Sequence, residues 1–446
     1  MTTYWCEFAW LGDLSGAVQQ GVVITVEGDR ITAVSTDAMP PSDARRLAGL
    51  TLPGMANAHS HAFHRALRGR THDEAGSFWT WRDRMYALAD RLDPDSYRDL
   101  ATATFAEMVL AGFTCVGEFH YLHHDRGGAP YAHANLMGQI MIDAAAQAGI
   151  RITLLDTCYL RAGISGDAAL TDTQLRFSDG DADAWTVRID GLSGSAEAKV
   201  GAAIHSVRSV DPDSMSVVAQ WAAAHDAPLH AHVSEQPAEN EQCCAVHRCS
   251  PIGLLERHGV LGERFTAVHA THVDESDIAA LQSSGSTCCI CPTTERDLAD
   301  GIGPTGAFRA AGIAMTVGSD SHAVIDPFEE VRAIELDQRL ASLRRGTHRP
   351  GELLAAATES GYRSLGWSHG GRITEGALAD LTSVALTSSR LAGADPRHAA
   401  AAVVFAAAAT DVHHVVVGGR PAVVDGVHQT IDVARELDRA ITAVWS

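Results

Sequence analysis

His59 and His61 close the apolar stretch LPGMANAHSHAFHRA, where two imidazoles at i and i+2 of a strand would point to the same side and could reach one cation. With 23 histidines in 446 residues, a single His-x-His pair carries little weight alone. The company it keeps matters more: His232 in HVSEQ, His269 in VHATH and Asp320 in VGSDSH. His59, His61, His232 and Asp320 make a three-imidazole, one-carboxylate donor set suited to Zn2+, with Fe2+ as the other candidate. A cation so held keeps one position open for water, and lowering the pKa of that water to about 7 makes hydrolysis available at neutral pH.

Hydrolysis also needs groups that move protons. Glu235 lies three residues after His232, just past a strand end, where its carboxyl group can shuttle a proton to a departing nitrogen. His269 can hydrogen-bond the reacting centre, and Asp320 can serve as both ligand and proton acceptor. Each has a plainer reading: Glu235 as an acid favoured at a helix N-terminus, His269 as a satisfied core histidine. Their joint placement favours chemistry.

That placement comes from the elements that must carry these residues. Between about 52 and 370, apolar strands alternate with helical stretches, and the candidate strands end near His59, Glu118, Asp156, His205, His232, His269, Cys291 and Asp320. Eight strand and helix units closed on themselves predict an α/β, (β/α)8 TIM-like barrel, whose active site lies at the C-terminal ends of its strands. The polar candidates fall at those ends. SYRDLATATFAEMVLAG reads as a helix with Leu100, Thr104, Met108 and Ala111 on one face and a stop at Gly112. GVVITVEGDRITAV and HHVVVGGRPAVVDG read as hairpins near opposite ends of the chain. The expected organisation is residues 1–52 as the N-terminal part of a small β-sandwich domain, 53–370 as the barrel, and 371–446 as the rest of the β domain with terminal helices. Residues 161–199, rich in Asp, Gly and Ser, are expected to form an irregular insertion over the barrel mouth.

Composition narrows the partners. Net charge is -21, which argues against a nucleic-acid or anionic-membrane surface, and no apolar run reaches the roughly 18 residues of a membrane span. An acidic substrate would therefore need local arginines. Nine cysteines, an odd number, suit a reducing compartment, and a cytoplasmic enzyme is expected. The run CCIC, Cys288–Cys291, falls in an expected buried strand.

The strings LPGMANAHSHAFHRA, HVSEQ, VHATH, VGSDSH and GRITEGALADLTSVAL resemble the amidohydrolase superfamily across nearly the whole chain. SFWTWRDRMY, EFHYLHHD, IHSVRSV, HVSEQPAE and CPTTERDLADGIG are similar, more narrowly, to its formimidoylglutamate deiminases, which hydrolyse N-formimidoyl-L-glutamate to N-formyl-L-glutamate and ammonia in histidine degradation. The resemblance implies one zinc per subunit and a homodimer, with His205 standing where two-metal relatives place Lys. It implies substrate contacts at Arg82, Tyr121, His205 and Arg208, the guanidinium groups pairing with the two carboxylates of an acidic substrate. Trp79 and Trp81 are expected to pack rather than touch substrate. One departure stands out: His64 follows HSHAF where the pattern has Gln, so the contact at that position differs in length and charge. Two other readings are a deaminase of a purine, pyrimidine or related aromatic amine, whose site would offer stacking rings, and a non-catalytic metal-binding scaffold.

Overall fold

The computed structural model describes residues 1–72 and 76–446. The barrel strands are β1 (Met55–Ser60), β2 (Phe113–His120), β3 (Arg151–Cys158), β4 (Ala198–Ser206), β5 (Leu229–Val233), β6 (Phe265–His269), β7 (Thr287–Ile290) and β8 (Ala314–Val317). They pair in sequence order, every ladder parallel, as expected when each strand is returned to the same edge by a crossover helix. The circle closes just beyond β8: Ser60 and Asp320 form a parallel bridge, the Asp320 amide donates to the His59 carbonyl (3.0 Å) and the His61 amide to the Asp320 carbonyl (3.3 Å). This seam brings the carboxylate of the last strand beside the paired imidazoles of the first. Asp320 takes a left-handed φ of 43° there.

Between β1 and β2 run α1 (Phe78–Ala89) and α2 (Pro94–Ala111). The Asp93 carboxylate caps α2 by accepting from the Ser96 amide (2.8 Å), Pro94 opens its first turn, and Gly112 ends it at φ 108°. A Cβ at Gly112 would lie 2.9 Å from both the Met55 and Thr382 side chains, so crowding as well as φ selects glycine. Leu100, Thr104, Met108 and Ala111 are buried on this helix, as the 3.6-residue pattern predicts.

Strands from both termini form one mixed eight-stranded sheet outside the barrel. Arg45–Pro53, from the N-terminal half, pairs antiparallel with Leu381–Val384 from the C-terminal half, and the sheet keeps its own apolar core around Cys6, Ile24 and Leu381. Both expected hairpins are present, Gln19–Glu27 with Arg30–Ser35 and Val412–Val417 with Arg420–Val424; Gly418 and Gly419 at φ 55° and 73° supply the turn of the second.

Barrel and sheet are locked by a buried ion pair. Arg151 at the start of β3 donates to both oxygens of Asp380 (2.8 and 3.3 Å), which also accepts from the Tyr362 hydroxyl and the Gly418 amide (2.8 and 2.6 Å). Asp380→Ala strands the guanidinium in the interior, and we expect a loss of about 3–5 kcal/mol, measured by denaturant unfolding.

The stretch after β3 departs from expectation. It holds two helical segments, Asp172–Leu175 and α3 (Ala182–Ile189), each N-capped, by Thr171 and Asp181. Arg188 on α3 makes a bidentate pair with buried Asp156 (2.7 and 2.8 Å), and the indole of fully buried Trp185 donates to the same carboxylate (2.9 Å). Polar composition suggested a loose cover, but two caps and one buried charge pair make it a docked wall of the barrel mouth. Beyond β5 and β7 lie α4 (Pro237–His247) and α5 (Pro292–Asp297), and α6 (Val433–Trp445) closes the chain. Among the described residues no helix is long and apolar enough to cross a membrane.

Candidate metal centre and active-site cavity

Each donor of the expected metal set comes from a barrel strand end. His59 and His61 flank the end of β1, His232 lies on β5 and Asp320 at the closing seam, and one ligand atom from each lies within 4.8 Å of the others, all four residues buried. The His232 Nε2 is 3.0 Å from that of His59 and 3.3 Å from that of His61, and Asp320 Oδ1 is 3.4 and 3.3 Å from the same two nitrogens.

The remaining ring nitrogens fix what these atoms present. His61 Nδ1 faces the Phe119 carbonyl at 3.0 Å and His232 Nδ1 the His205 carbonyl at 2.8 Å. A carbonyl oxygen only accepts, so each Nδ1 carries the proton and each Nε2 turns a lone pair inward. Burial holds all three imidazoles neutral, with His61, also repelled by His59, pushed down to about 3. Lone pairs 3.3 Å apart repel each other, and a divalent cation between them removes the conflict. The donor set therefore fits a metal of the zinc type.

The same burial predicts how the metal-free protein responds to acid. His120, His205 and His322 are also held far below the ordinary imidazole range by burial, and His230 and His123 lie at about 3 and 4. Unfolded imidazoles take up protons below about 6.5 while these folded ones do not, so stability is lost as pH falls from 6.5 toward the folded values. We expect the Tm of chelated protein to fall as pH is lowered from 6.5 to 5.

Proton-handling candidates stand against this centre. Glu235 follows Ser234, a left-handed residue at φ 51° that turns the chain over the end of β5. One Glu235 oxygen accepts from Arg208 Nη2 (3.0 Å) and the other lies 3.7 Å from His269 Nε2. His269 ends β6 at φ 69°, and its Nε2 is also 3.8 Å from Asp320 Oδ2. Burial alone would lower its pKa, but the Glu235, Glu295 and Asp320 carboxylates outweigh that and raise it to about 10.

A cavity of about 260 Å³ opens onto these groups and is lined by all five expected contact residues, His64, Arg82, Tyr121, His205 and Arg208. His64 Nε2 is 2.8 Å from the Tyr121 hydroxyl, and its buried Nδ1 has no hydrogen-bond partner among the described residues. The guanidinium of Arg82 lies over Trp79 (4.6 Å) and Tyr86 (5.5 Å), and its Nε is likewise unpartnered among the described residues. Trp79 and Trp81 line the cavity and also pack: Trp81 against the core and edge-on to His64 (5.1 Å), Trp79 against Phe78 (5.2 Å). His322 proves to be a support: its ring nitrogens lie 2.9 Å from the Ser319 hydroxyl and 3.2 Å from that of Ser60.

Two carboxylates escaped the sequence reading. Glu239, in the first turn of α4, accepts from the Ser234 amide (3.1 Å) and sits 3.6 Å from Arg208 Nε. Glu295, in the first turn of α5, accepts from the Cys291 amide (2.8 Å) and stands 3.4 Å from His269 Nδ1. Both lie in strings already noticed, HVSEQPAE and CPTTERDLADGIG, where an acid in the first turn after a strand end was the available signal.

With barrel, seam and cavity in place, comparison with known proteins defines the class: the amidohydrolase family model matches residues 50–422, and the chain belongs to that family. It is a hydrolase acting on carbon–nitrogen bonds, of the superfamily's deaminase type. Formimidoylglutamate deiminase of Pseudomonas aeruginosa is 36% identical over 424 residues, 92% of each chain. A 5-methylthioadenosine/S-adenosylhomocysteine deaminase of Natronomonas pharaonis is 29% identical over 87% of this chain and 86% of its own. The crystal structure of an amidohydrolase from Brucella melitensis superimposes with a TM-score of 0.92 at 32% identity, covering both chains completely.

Proposed function

We propose that this enzyme hydrolyses N-formimidoyl-L-glutamate to N-formyl-L-glutamate and ammonia, a step of histidine degradation. The observation that carries the reading is the juxtaposition in one cavity of a converging His59, His61, His232 and Asp320 donor set, an acid–base group at Glu235, and guanidinium groups from Arg82 and Arg208. The 36% identity to the Pseudomonas deiminase supports it. The homodimer implied by the resemblance and the cytoplasmic setting expected from composition belong to the same proposal.

His59, His61, His232 and Asp320 would hold one Zn2+, or Fe2+ in its place. When bound, such a cation supplies Lewis acidity and a water of lowered pKa. Glu235 takes one proton as water attacks the formimidoyl carbon and passes it to the imino nitrogen; as the tetrahedral centre collapses, Asp320 takes the second proton of that water, which also passes to the departing nitrogen, so C=N is replaced by C=O, ammonia leaves and an N-formyl group remains. Arg208 steadies the Glu235 carboxylate, itself fixed from the other side by Glu239. His269 Nε2, held beside Glu235 and Asp320, donates to the oxygen that develops charge, and Glu295 keeps its ring in place.

Substrate recognition divides unevenly between the arginines. Arg208 is balanced by Glu235 and Glu239, whereas Arg82 has no anionic partner among the described residues and lies on a bed of rings. Arg82 is therefore the principal carboxylate anchor, with Arg208, Tyr121, His205 and His64 completing the contacts. The abundance of rings favours a second reading, a deaminase of an aromatic amine, but Arg82 already covers Trp79 and Tyr86 and accounts for their presence. We expect Arg82→Met to lower kcat/KM about 10- to 100-fold, mainly through KM, as loss of a charge-assisted pair worth about 1.5–3 kcal/mol requires. The reading is tested by ammonia release from N-formimidoyl-L-glutamate against N-formimidoyl-L-aspartate. A clear preference for the longer chain supports a fixed two-carboxylate site, and equal rates contradict it.

A further inference from the structure

His413 and His414 are consecutive on the strand Val412–Val417 of the outer sheet, where adjacent side chains ordinarily leave opposite faces. Here they meet. Ser383 pairs with His414 and Val384 with Val412, so His413 is the extra residue of a β-bulge, and the bulge brings its ring round beside that of its neighbour. His413 Nδ1 and His414 Nε2 lie 3.3 Å apart, with the ring planes nearly perpendicular.

A carboxylate reaches the same point from another element. Asp425 and Gly426, at φ 52° and 74°, form the two-residue turn between Arg420–Val424 and Val427–His428, and the Gly426 amide donates to the His413 carbonyl (2.9 Å), which pins the turn over the bulge. Asp425 Oδ1 then stands 3.5 Å from His413 Nδ1 and 3.8 Å from His414 Nε2. Both separations are too long for hydrogen bonds. They come close to the spacing of donors around a cation, because tetrahedral bonds of about 2.0–2.1 Å put neighbouring ligand atoms about 3.3–3.4 Å apart. Burial, and after it the neighbouring His413, hold His414 below the ordinary imidazole range, so it is neutral and able to coordinate at pH 7. None of the three residues lines the active-site cavity.

We propose that His413, His414 and Asp425 form a transition-metal site on the outer sheet, whose cation clamps the edge hairpin to the bulged strand beside it. Two imidazoles and one carboxylate select zinc, nickel or copper over magnesium and calcium, and water completes the coordination. Asp425 is exposed and His413 half-exposed, so the cation exchanges with solution while the protein stays folded. It stabilises the sheet and takes no part in turnover. The inference is therefore independent of the substrate proposed above.

The test uses enzyme loaded with one zinc per chain, dialysed against rising Zn2+ and, in parallel, against Mg2+ and Ca2+, while bound metal, Tm and turnover are followed. The wild type should take up one more zinc per chain than His413→Ala, with a rise in Tm that the variant lacks. Turnover should be the same in both proteins at each zinc concentration. Asp425→Asn keeps a residue that tolerates the left-handed turn but removes the charged donor, and it should lose the extra zinc as well. Equal zinc uptake by wild type and His413→Ala would overturn the proposal and leave the two rings and the acid as a solvated surface contact. An Asp425→Asn protein with the wild-type zinc count would overturn it too, as would Mg2+ or Ca2+ taken up by the wild type as readily as Zn2+. The metal count needs no substrate, so it stands even if the substrate assignment fails.

Discussion

Glu235→Gln is expected to lower kcat by about 10³-fold while leaving bound metal and fold intact. The magnitude is that of a positioned general acid–base group, typically 10²–10⁴-fold. Glutamine keeps an oxygen that can accept from Arg208 Nη2, now 3.0 Å from the carboxylate, so orientation is largely preserved and only proton transfer is lost. Because Glu235 is not among the four converging donors, metal content by elemental analysis should be unchanged. A fall in KM-dependent binding with kcat preserved would instead mark Glu235 as a binding group.

Chelation is expected to abolish turnover and to destabilise the protein, both reversed by Zn2+. The activity loss follows from the donor set: without a cation, water loses the lowered pKa that the reaction needs at neutral pH. The stability loss follows from mass action, about 4 kcal/mol when free metal exceeds its Kd by 1,000-fold, together with renewed repulsion between lone pairs 3.3 Å apart. Thermal unfolding before and after chelation, with readdition of metal, measures both. Full activity in metal-free protein would remove the basis of the mechanism.

Much of this architecture was legible because parallel barrels impose strong rules. Buried strands read as apolar runs, and a polar residue closing such a run, as at His59, His232 and His269, has few reasons to be there other than the site. The same logic located Asp320, although its contact with β1 across the closing seam depends on a 260-residue separation that no local pattern reveals. Local reading failed where burial and partners decide. The stretch after β3 looked irregular because its polar residues were counted rather than paired; Thr171 with Gln174 and Asp181 were cap signals, while the Arg188–Asp156 pair that docks α3 is long-range. Glu239 and Glu295 read as ordinary first-turn acids; only the fold shows Arg208 and His269 waiting opposite them.

The most direct measurement is a side-by-side determination of kcat/KM on zinc-loaded enzyme for N-formimidoyl-L-glutamate, 5-methylthioadenosine and 8-oxoguanine, with ammonia quantified and products identified by mass. Stoichiometric N-formyl-L-glutamate and ammonia, with kcat/KM exceeding that for either purine by several orders of magnitude, is the predicted result. Ammonia released from a purine but not from N-formimidoyl-L-glutamate would contradict it.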